Sequence, residues 1–421
     1  MPAATNFGMT TTLAPQSVAE LAEAVRATPR LLAVGAQTKP RLSAVDCVKL
    51  STAKLSGIVE YEPSEFTFTA LAGTPVRDIA AALAERGQYL PFDPMLVDAG
   101  ATLGGTVAAG VSGPGRFRFG GLRDFILGVQ FVDGAGRVLR LGGKVVKNAA
   151  GFDVPKFFVG SLGRFGVLTE ITFKVFPQPA SRFTLLLDAG NAESVAKIFA
   201  AAGSSRWELD ALDWLPDGKF VAMRLGGPVA ALETLSQEIL ARWPGKKLTA
   251  AEADELWAGL REFDWVCVRP HPGPLPSTLR SAATEDGQER EKQSSPLDAR
   301  SSRREEAHSN LNESSQSFLT SADTIIKVAL TPGNVVAFTQ TISTLSGARA
   351  HVSAGGNVAF VSLVTAEQAA QLDQALQAQK LSGVTLRGDA PLWLGARYDF
   401  KISTAVKSAL DAENRFPSLN D

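Results

Sequence analysis

The chain contains few of the residues that build disulfide frameworks and metal centres. Its 421 residues include two cysteines and three histidines. Cys47 and Cys267 lie far apart in the sequence, which argues against a disulfide framework and against zinc or iron–sulfur ligand sets. Cys267 and His271 are four residues apart, but Pro270 intervenes and the sequence has no second pair of this kind. We therefore expect no metal site, and a reducing compartment suits the chain.

Strong charge and long apolar runs are also missing. A formal net charge of −1 gives no reason to expect nucleic acid or a strongly anionic membrane surface as a partner. The first residues lack the basic and apolar stretches of a signal peptide, and no window approaches about 18 uninterrupted apolar residues. We expect a cytoplasmic protein without a membrane span, and peripheral attachment to the inner membrane through partners stays open.

What the sequence does have is a region rich in glycine, from Ala99 to Val175, in which short apolar strands alternate with small-residue loops. Small residues let backbone N–H groups approach a ligand closely, and successive N–H groups form concavities that bind anions. Three such loops in one region predict that the chain wraps a large cofactor that carries phosphate.

The competing interpretation is that these glycines only form tight turns in a strand-rich domain. The hydroxyls of Thr102, Thr106 and Ser112 favour the phosphate cradle, because each could donate to a phosphate oxygen. The stretch from Gly160 to Gly166 is a second loop of the same kind. The lysine pattern of a mononucleotide P-loop is absent, so a cradle of that type is not expected.

Periodicity and turn residues predict a mixture of helices and strands in this first part of the chain. A capping box that begins at Ser17 predicts a helix to Ala27, followed by a strand at Leu31–Val34. Two turn signals predict antiparallel hairpins, one of Ile58–Tyr61 with Thr67–Ala72 and one of Leu127–Val132 with Arg137–Leu141. Proline follows the next strand, and we place a domain boundary there.

The second half of the sequence repeats the order strand, helix, strand, strand, helix. This order fits two ferredoxin-like units or one larger antiparallel sheet covered by helices. Val266–Arg269 is expected to be one of its strands. Residues 277–321 are rich in Ser, Glu and Arg and poor in aromatic and β-branched residues, so we interpret them as a disordered insertion.

A long, ordered set of motifs resembles a known flavoprotein family. The matching positions run from Gly104-Gly105 and Ser112-Gly113-Pro114 to the stretch KNAAGFDVPKFFVGSLGRFGVLTEITFKVFPQP. They resemble the FAD-binding domain of the vanillyl-alcohol oxidase, or PCMH-type, flavoproteins, and most of all the FAD-binding subunits of bacterial glycolate oxidases. The likeness extends from Val18 to Pro179, weakens beyond, and returns at Leu410–Ser418.

The resemblance implies an α+β fold. A PCMH-type FAD-binding domain of two subdomains would be followed by a smaller antiparallel-sheet α+β domain with ferredoxin-like repeats. We expect the FAD-binding domain at residues 1–180 and the C-terminal domain in two parts, 181–276 and 322–400. The insertion at 277–321 separates these parts, and a tail follows at 401–421.

The resemblance also implies residues that bind the cofactor. The first phosphate loop would comprise Gly35, Gln37, Thr38 and Lys39, although Ala36 replaces a glycine usual there. The remaining positions would be Ala101, Thr102, Gly104, Gly105, Ser112, Gly113 and Pro114 in a second loop, Gly163, Gly166 and Val167 near the cofactor, and the pair Lys147 and Asn148. Because no histidine or cysteine lies in the phosphate loops, we predict non-covalent FAD.

Lys147 has two interpretations. A cation near the flavin pyrimidine edge would stabilise the anionic reduced flavin, whereas the alternative is a strand-end lysine in water.

The function implied is that of an FAD-binding subunit of a glycolate oxidase-like complex acting on a small 2-hydroxy acid. Its partners would be a homologous catalytic flavoprotein subunit and an iron–sulfur subunit. The second domain has only His271 and His351 with no paired spacing, which favours a partner-dependent subunit, and no catalytic residue is assigned. The alternatives are a self-sufficient FAD-dependent dehydrogenase of hydroxy acids or sugar alcohols, and a non-catalytic scaffold.

Overall fold

The structure is a computed structural model, and it describes residues 11–143, 153–267, 323–397 and 401–421. Its first part, up to Pro177, contains ten strands and four helices among the described residues. The strands are β1 (Thr12–Leu13), β2 (Leu31–Val34), β3 (Val48–Ser51), β4 (Ile58–Glu62), β5 (Thr67–Leu71), β6 (Gln88–Tyr89), β7 (Ile126–Val132), β8 (Val138–Gly142), β9 (Val167–Lys174) and β10 (Phe176–Pro177). The helices are α1 (Val18–Ala27), α2 (Val76–Ala84), α3 (Leu103–Ala109) and α4 (Arg116–Phe119).

The remaining described residues form nine strands and six helices. The strands are β11 (Ser181–Asp188), β12 (Ala211–Trp214), β13 (Phe220–Gly227), β14 (Gly245–Lys247), β15 (Thr324–Ala329), β16 (Arg349–Ser353), β17 (Val358–Leu363), β18 (Ser382–Arg387) and β19 (Trp393–Gly395). The helices are α5 (Ala192–Ser204), α6 (Val229–Arg242), α7 (Ala250–Glu262), α8 (Val335–Thr344), α9 (Ala366–Ala378) and α10 (Lys401–Leu410).

Two sheets organise the first part. A small parallel sheet has the strand order β1-β3-β2, and an antiparallel sheet has the order β4-β5-β9-β7-β8. Helix α1 begins as its capping residues predict, because the Ser17 hydroxyl accepts from the Glu20 N–H at 3.2 Å. Its apolar face packs with the small sheet, while α2 and α3 cover the antiparallel sheet through a cluster rich in phenylalanine. The two hairpins expected from the sequence are confirmed.

The second part is one antiparallel sheet of nine strands, in the order β14-β11-β13-β12-β16-β17-β15-β18-β19. Along the chain, the pattern β-α-β-β-α-β occurs twice, once from β11 to β14 and once from β15 to β18. The sheet therefore contains two ferredoxin-like units. They meet edge to edge where Trp214 of β12 pairs with Val352 of β16. Helices α5, α6, α8 and α9 cover one face. The mixed fold with ferredoxin-like repeats expected from the sequence is confirmed.

The other face of this sheet packs against the first part of the molecule. Ile325 and Phe360 lie in one apolar cluster with Met95, Leu96 and Leu162. Successive side chains of a strand point to opposite faces, so Lys327 of β15 also points toward the first part. This contact brings the sheet to the glycine-rich region.

Two details differ from the expectations. Asp264–Cys267 form a short 3₁₀ helix, so the strand predicted at Val266–Arg269 is wrong for its described residues. The stretch expected to form the second phosphate loop contains helix α3, because the Thr102 hydroxyl caps it by accepting from the Gly105 N–H. The expected insertion at 277–321 lies outside the described residues. Of the helices that the structure describes, none is long and apolar enough to cross a membrane.

Candidate functional site

The first wall of the candidate site is the turn that follows β2. It contains Gly35, Gln37 and Thr38, and Gln37 adopts a positive φ of 53°. A Cβ atom on Gly35 would lie 2.2 Å from the Thr102 hydroxyl oxygen, so only glycine lets the turn approach α3 this closely.

Lys39 ends this turn as a buried cation. Its side-chain amine donates to the Thr38 hydroxyl at 3.1 Å, and it forms no ion pair with a carboxylate among the described residues. Burial lowers the pKa of Lys39 from 10.5 to about 8, with Glu262 opposing the shift and Arg387 adding to it. A buried cation with so few partners is a ready site for an anion.

The second wall is helix α3, which carries Gly104 and Gly105. A Cβ atom on Gly104 would lie 2.9 Å from the Cβ of Ala72, so the helix packs tightly on the end of β5. The three hydroxyls expected to donate to phosphate do not behave alike. Thr102 caps α3, Ser112 accepts from the Leu122 N–H at 3.0 Å, and Thr106 Oγ1 is buried without a partner among the residues described.

The third wall is the loop from Gly160 to Gly166. Leu162, Gly163 and Gly166 have φ angles of 54°, 74° and 154°, and a Cβ on Gly166 would lie 2.8 Å from the Val132 carbonyl oxygen. These conformations keep the loop close to α3, since the Leu162 N–H donates to the Ala108 carbonyl at 2.9 Å.

The three walls enclose two adjoining cavities that share five residues, Ala33, Val34, Gly35, Gly105 and Ala108. Of the predicted cofactor residues, the structure brings together around them Gly35, Gln37, Thr38, Lys39, Thr102, Gly104, Gly105, Gly163 and Gly166. We call this pair of cavities the cleft. Sequence reasoning missed several of its residues, including Leu42, Thr52, Ala72 and Leu168, which have no motif of their own.

Five of the predicted residues do not line the cleft. Ala101, Ser112, Gly113 and Pro114 are buried beside it, and Gly113 donates to the Phe92 carbonyl at 2.9 Å. Val167 lies in the core under α1, where it pairs with Val132. Lys147 and Asn148 lie outside the described residues.

A second buried lysine lies where the nine-stranded sheet meets the first part. The amine of Lys327 donates to the Gly110 carbonyl at 2.8 Å, just beyond the end of α3. Burial lowers the pKa of Lys327 to about 8, and the nearby Arg116 lowers it further. Elsewhere in the contact between this sheet and the first part, the buried pair of Asp93 and Arg224, 2.5 Å apart, joins the two parts of the molecule.

His351, the one histidine among the residues that the structure describes, does not lie in the cleft. His351 is fully buried, and its Nε2 lies 2.7 Å from an Asp213 carboxylate oxygen. The same carboxylate accepts from the Ser353 hydroxyl and from the Ala354 N–H at 3.0 Å. This arrangement holds the junction of the two ferredoxin-like units.

The chemistry of the cleft fits a dinucleotide cofactor. A pyrophosphate needs a cation and closely approaching backbone, and the cleft offers Lys39 beside turns that a Cβ at Gly35 would block. Small residues at Ala33, Ala72 and Ala108 leave its walls flat enough for a planar ring.

Comparison with known proteins gives the same cofactor. Residues 10–142 match the family model described as FAD binding domain. The chain is 44% identical over 156 residues to glycolate oxidase subunit GlcE of Escherichia coli (strain K12), an alignment that covers 37% of this chain and 43% of the relative. It is 33% identical over 152 residues to glycolate oxidase subunit GlcD of Bacillus subtilis (strain 168), covering 35% of this chain and 32% of the relative. The aligned part thus spans less than half of these relatives.

Among solved structures, an alkyldihydroxyacetonephosphate synthase matches 96% of this chain and 76% of its own length, with a TM-score of 0.61. At 13% sequence identity, this likeness concerns the fold. The family match, together with the geometry of the cleft, identifies residues 10–142 as an FAD binding domain of the PCMH type, with FAD as its cofactor.

Proposed function

We propose that the chain is the FAD-binding subunit of a glycolate oxidase-like complex that oxidises a small 2-hydroxy acid such as glycolate, giving glyoxylate. The observation that carries the proposal is the cleft, in which the Thr38 hydroxyl is the only hydrogen-bond partner of the buried Lys39 amine among the described residues. The similarity to two glycolate oxidase subunits supports this function among those that an FAD binding domain serves.

Within the cleft, the first and third walls would contact different parts of the cofactor. Lys39 would hold the pyrophosphate, and the loop at Gly163 and Gly166 would face the adenosine half of the cofactor. When bound, FAD supplies the acceptor for the electrons and proton that leave the hydroxy acid as a hydride equivalent.

Lys327 and Arg116 support a carboxylate substrate. They are two cations at the contact between the nine-stranded sheet and the end of α3, and no carboxylate within the described ranges forms an ion pair with either. An anionic substrate would compensate their charge. Its binding would favour the charged form of Lys327 and so raise the pKa of that amine.

The state of His351 supports a subunit that depends on a partner. Oxidation of a hydroxy acid needs a base for the hydroxyl proton. His351 is fully buried and already bonded to Asp213, so it has no path to a substrate in the cleft. We propose that a homologous catalytic flavoprotein supplies the base and that an iron–sulfur subunit receives the electrons.

The proposal includes a domain organisation and a location. We assign residues 1–180 to the FAD-binding domain, 181–276 and 322–400 to the two parts of the C-terminal domain, 277–321 to an insertion, and 401–421 to a tail. We place the complex in the cytoplasm, with partners providing any contact to the inner membrane.

Affinity purification of the tagged full chain from its own cells tests the proposal. We expect non-covalent FAD and two partners, a second flavoprotein and an iron–sulfur protein, with glycolate oxidation by the complex and none by the chain alone. Lys327→Met should raise the KM for glycolate at least about tenfold in the complex, as expected for a lost charge contact. Lys54→Met, on the exposed surface, is the control. A chain that purifies alone would contradict the proposal.

The contact of Lys327 and Arg116 also favours a second candidate, a self-sufficient FAD-dependent dehydrogenase. Glycolate-dependent reduction of a dye by the isolated, FAD-loaded chain would favour this candidate. A chain that neither contains nor takes up FAD would instead favour a non-catalytic scaffold.

A further inference from the structure

Arg164 is the largest fully buried side chain of the described residues. It lies in the third wall of the cleft, between Gly163 and Gly166. A guanidinium group stays charged in proteins and must therefore find acceptors when water is excluded. Burial lowers the pKa of Arg164 from 12.5 to about 10, although Asp421 opposes this shift. The identity of its acceptors determines what its charge holds together.

All four acceptors found for Arg164 among the described residues are main-chain oxygens. Its Nη1 donates to Leu42 at 2.8 Å and also to Leu162. Its Nη2 donates to Asp421 at 3.1 Å, and Nε donates to Ser418 at 3.4 Å. One guanidinium thus joins three segments that are far apart in the sequence.

Two of these segments are walls of the cleft. Leu42 follows the turn that contains Lys39, and Leu162 belongs to the third wall, and both line the cleft. Because both carbonyls bind the same nitrogen of Arg164, the spacing of the two walls depends on where that nitrogen lies. A shift of Arg164 would therefore change the shape of the cleft.

The third segment, residues 411–421, packs onto the FAD binding domain at helix α1 and strand β2. Phe416 lies in the apolar core with Leu21 and Val25 of α1. The Leu31 N–H donates to the Arg415 carbonyl at 2.9 Å, at the start of β2. The buried carboxylate of Asp411 accepts from the Phe416 N–H at 3.0 Å and fixes the turn. We call residues 411–421 the C-terminal segment.

We infer that Arg164 is a positioning residue that couples docking of the C-terminal segment to FAD binding. With the segment docked, Ser418 and Asp421 accept from two nitrogens of the guanidinium and leave the third to hold Leu42 and Leu162. With the segment undocked, these two nitrogens lose their acceptors inside the protein, and the guanidinium must move toward water. The walls then lose their common donor, and the cleft loses the spacing that admits the cofactor.

Coupling of this kind acts in both directions. If a docked segment favours FAD binding, then bound FAD favours the docked segment by the same factor. A residue with only a structural role would destabilise the protein without making the segment respond to the cofactor. The inference rests on the assignment of FAD to the cleft, but it does not depend on substrate, partners or turnover.

Hydrogen exchange of the full chain, measured by mass spectrometry with and without FAD, tests the coupling. In the wild-type protein, FAD should slow exchange in the peptide that covers residues 411–421 by at least about threefold. In Arg164→Met, this protection should disappear, and the dissociation constant for FAD, measured by flavin fluorescence, should rise roughly tenfold or more. Arg164→Lys keeps the charge but has fewer donors in place. Its protection by FAD and its dissociation constant should lie between those of the wild type and Arg164→Met.

Arg30→Met is the matched control. Arg30 forms an exposed ion pair with the side chain of Asp421 at 2.8 Å, so its loss removes a contact to the same segment without touching the cleft. It should retain both the protection by FAD and the wild-type dissociation constant.

Two results would overturn the coupling. One is an unchanged exchange rate of residues 411–421 when FAD binds to the wild-type protein, a measurement that needs no variant to fold. The other is a folded Arg164→Met protein that binds FAD as tightly as the wild type. A wild-type chain that binds no FAD would overturn the cofactor assignment and this inference together, and it is recognised by the absence of any change in flavin fluorescence.

Discussion

The cleft of the FAD binding domain and the junction of the two ferredoxin-like units both bury charged side chains, but they supply them with partners differently. At the junction, Asp213 accepts from His351, Ser353 and the Ala354 N–H. In the cleft, the amine of Lys39 has a single hydroxyl as hydrogen-bond partner within the part of the chain that the structure describes. Burying a charge is costly unless it is paired and hydrogen-bonded. We therefore interpret the junction as a structural element. The cleft, in contrast, is a site whose buried charge a bound ligand would pair.

Loss of the Asp213 carboxylate should give the largest effect on stability. Asp213→Ala leaves the Ser353 hydroxyl, the Ala354 N–H and His351 buried without their acceptor, so we expect the free energy of unfolding to fall by about 3–5 kcal/mol. Urea denaturation measures this change. Asp217→Ala, in an exposed turn, is the control. A decrease in the free energy of unfolding of less than about 1 kcal/mol would contradict the structural role of Asp213 at the junction.

Loss of the Lys39 charge should affect binding and spare stability. Lys39→Met removes a buried cation that lacks a carboxylate, so the apo protein should unfold at the same or a higher urea concentration. The dissociation constant for FAD should rise about 10–100-fold, the value of a charge-assisted hydrogen bond to phosphate. Flavin fluorescence measures it, with Lys54→Met as control. A loss of stability without weaker FAD binding would show that Lys39, like Asp213, has a structural role.

The pH dependence of FAD binding should sharpen this distinction. The pKa of Lys39 is about 8 in the free protein, and a bound pyrophosphate would raise it by favouring the charged amine. Affinity for FAD should therefore be constant below about pH 7 and fall by up to about tenfold per pH unit above pH 8. Titrations from pH 6.5 to 9.5 would measure it. Because Lys327 also has a pKa of about 8, Lys39→Met should remove the dependence if Lys39 is its source.

Gly35→Ala should give the smallest effect. The new Cβ would meet the Thr102 hydroxyl and displace it from the Gly105 N–H that it caps. Loss of such a cap lowers the free energy of unfolding by about 1 kcal/mol, and the shifted turn should weaken FAD binding a few-fold. Gly203→Ala, on helix α5 with open space around it, should be neutral or slightly stabilising. Thermal unfolding with and without FAD compares the two.

The sequence predicts most of the fold because local signals and tertiary contacts agree there. Ser17 begins α1, Asp133-Gly134 turns the hairpin of β7 and β8, and the repeated element order matches the two ferredoxin-like units. The short edge strands β14 and β19 went unpredicted, since three residues carry too little pattern. Helix α3 was expected as a loop, because its glycines lower helix propensity, while tight packing on Ala72 requires one of them, Gly104.

The candidate site is less predictable, because its walls come from separate segments. Gly35 and Gly163 mark turns and Gly105 lies in helix α3, and all three line the cleft. Leu42, Thr52 and Leu168 carry no such mark, since an apolar or hydroxyl residue is common anywhere in a core. Arg164 was invisible for a different reason. Its four acceptors are main-chain oxygens, which every residue has. No acidic side chain in the sequence therefore marks Arg164 as buried and hydrogen-bonded.

The two acceptors that Ser418 and Asp421 provide for Arg164 appear late during protein synthesis. Ser418 is 254 residues beyond Arg164 in the chain. At a ribosomal rate of about 5–20 residues per second, roughly 13–50 s pass between the appearance of the guanidinium and of this acceptor. For that time the nascent FAD binding domain would hold its sheets but lack a finished cleft. Flavin loading would then follow translation of the second domain, so each molecule would acquire its cofactor late.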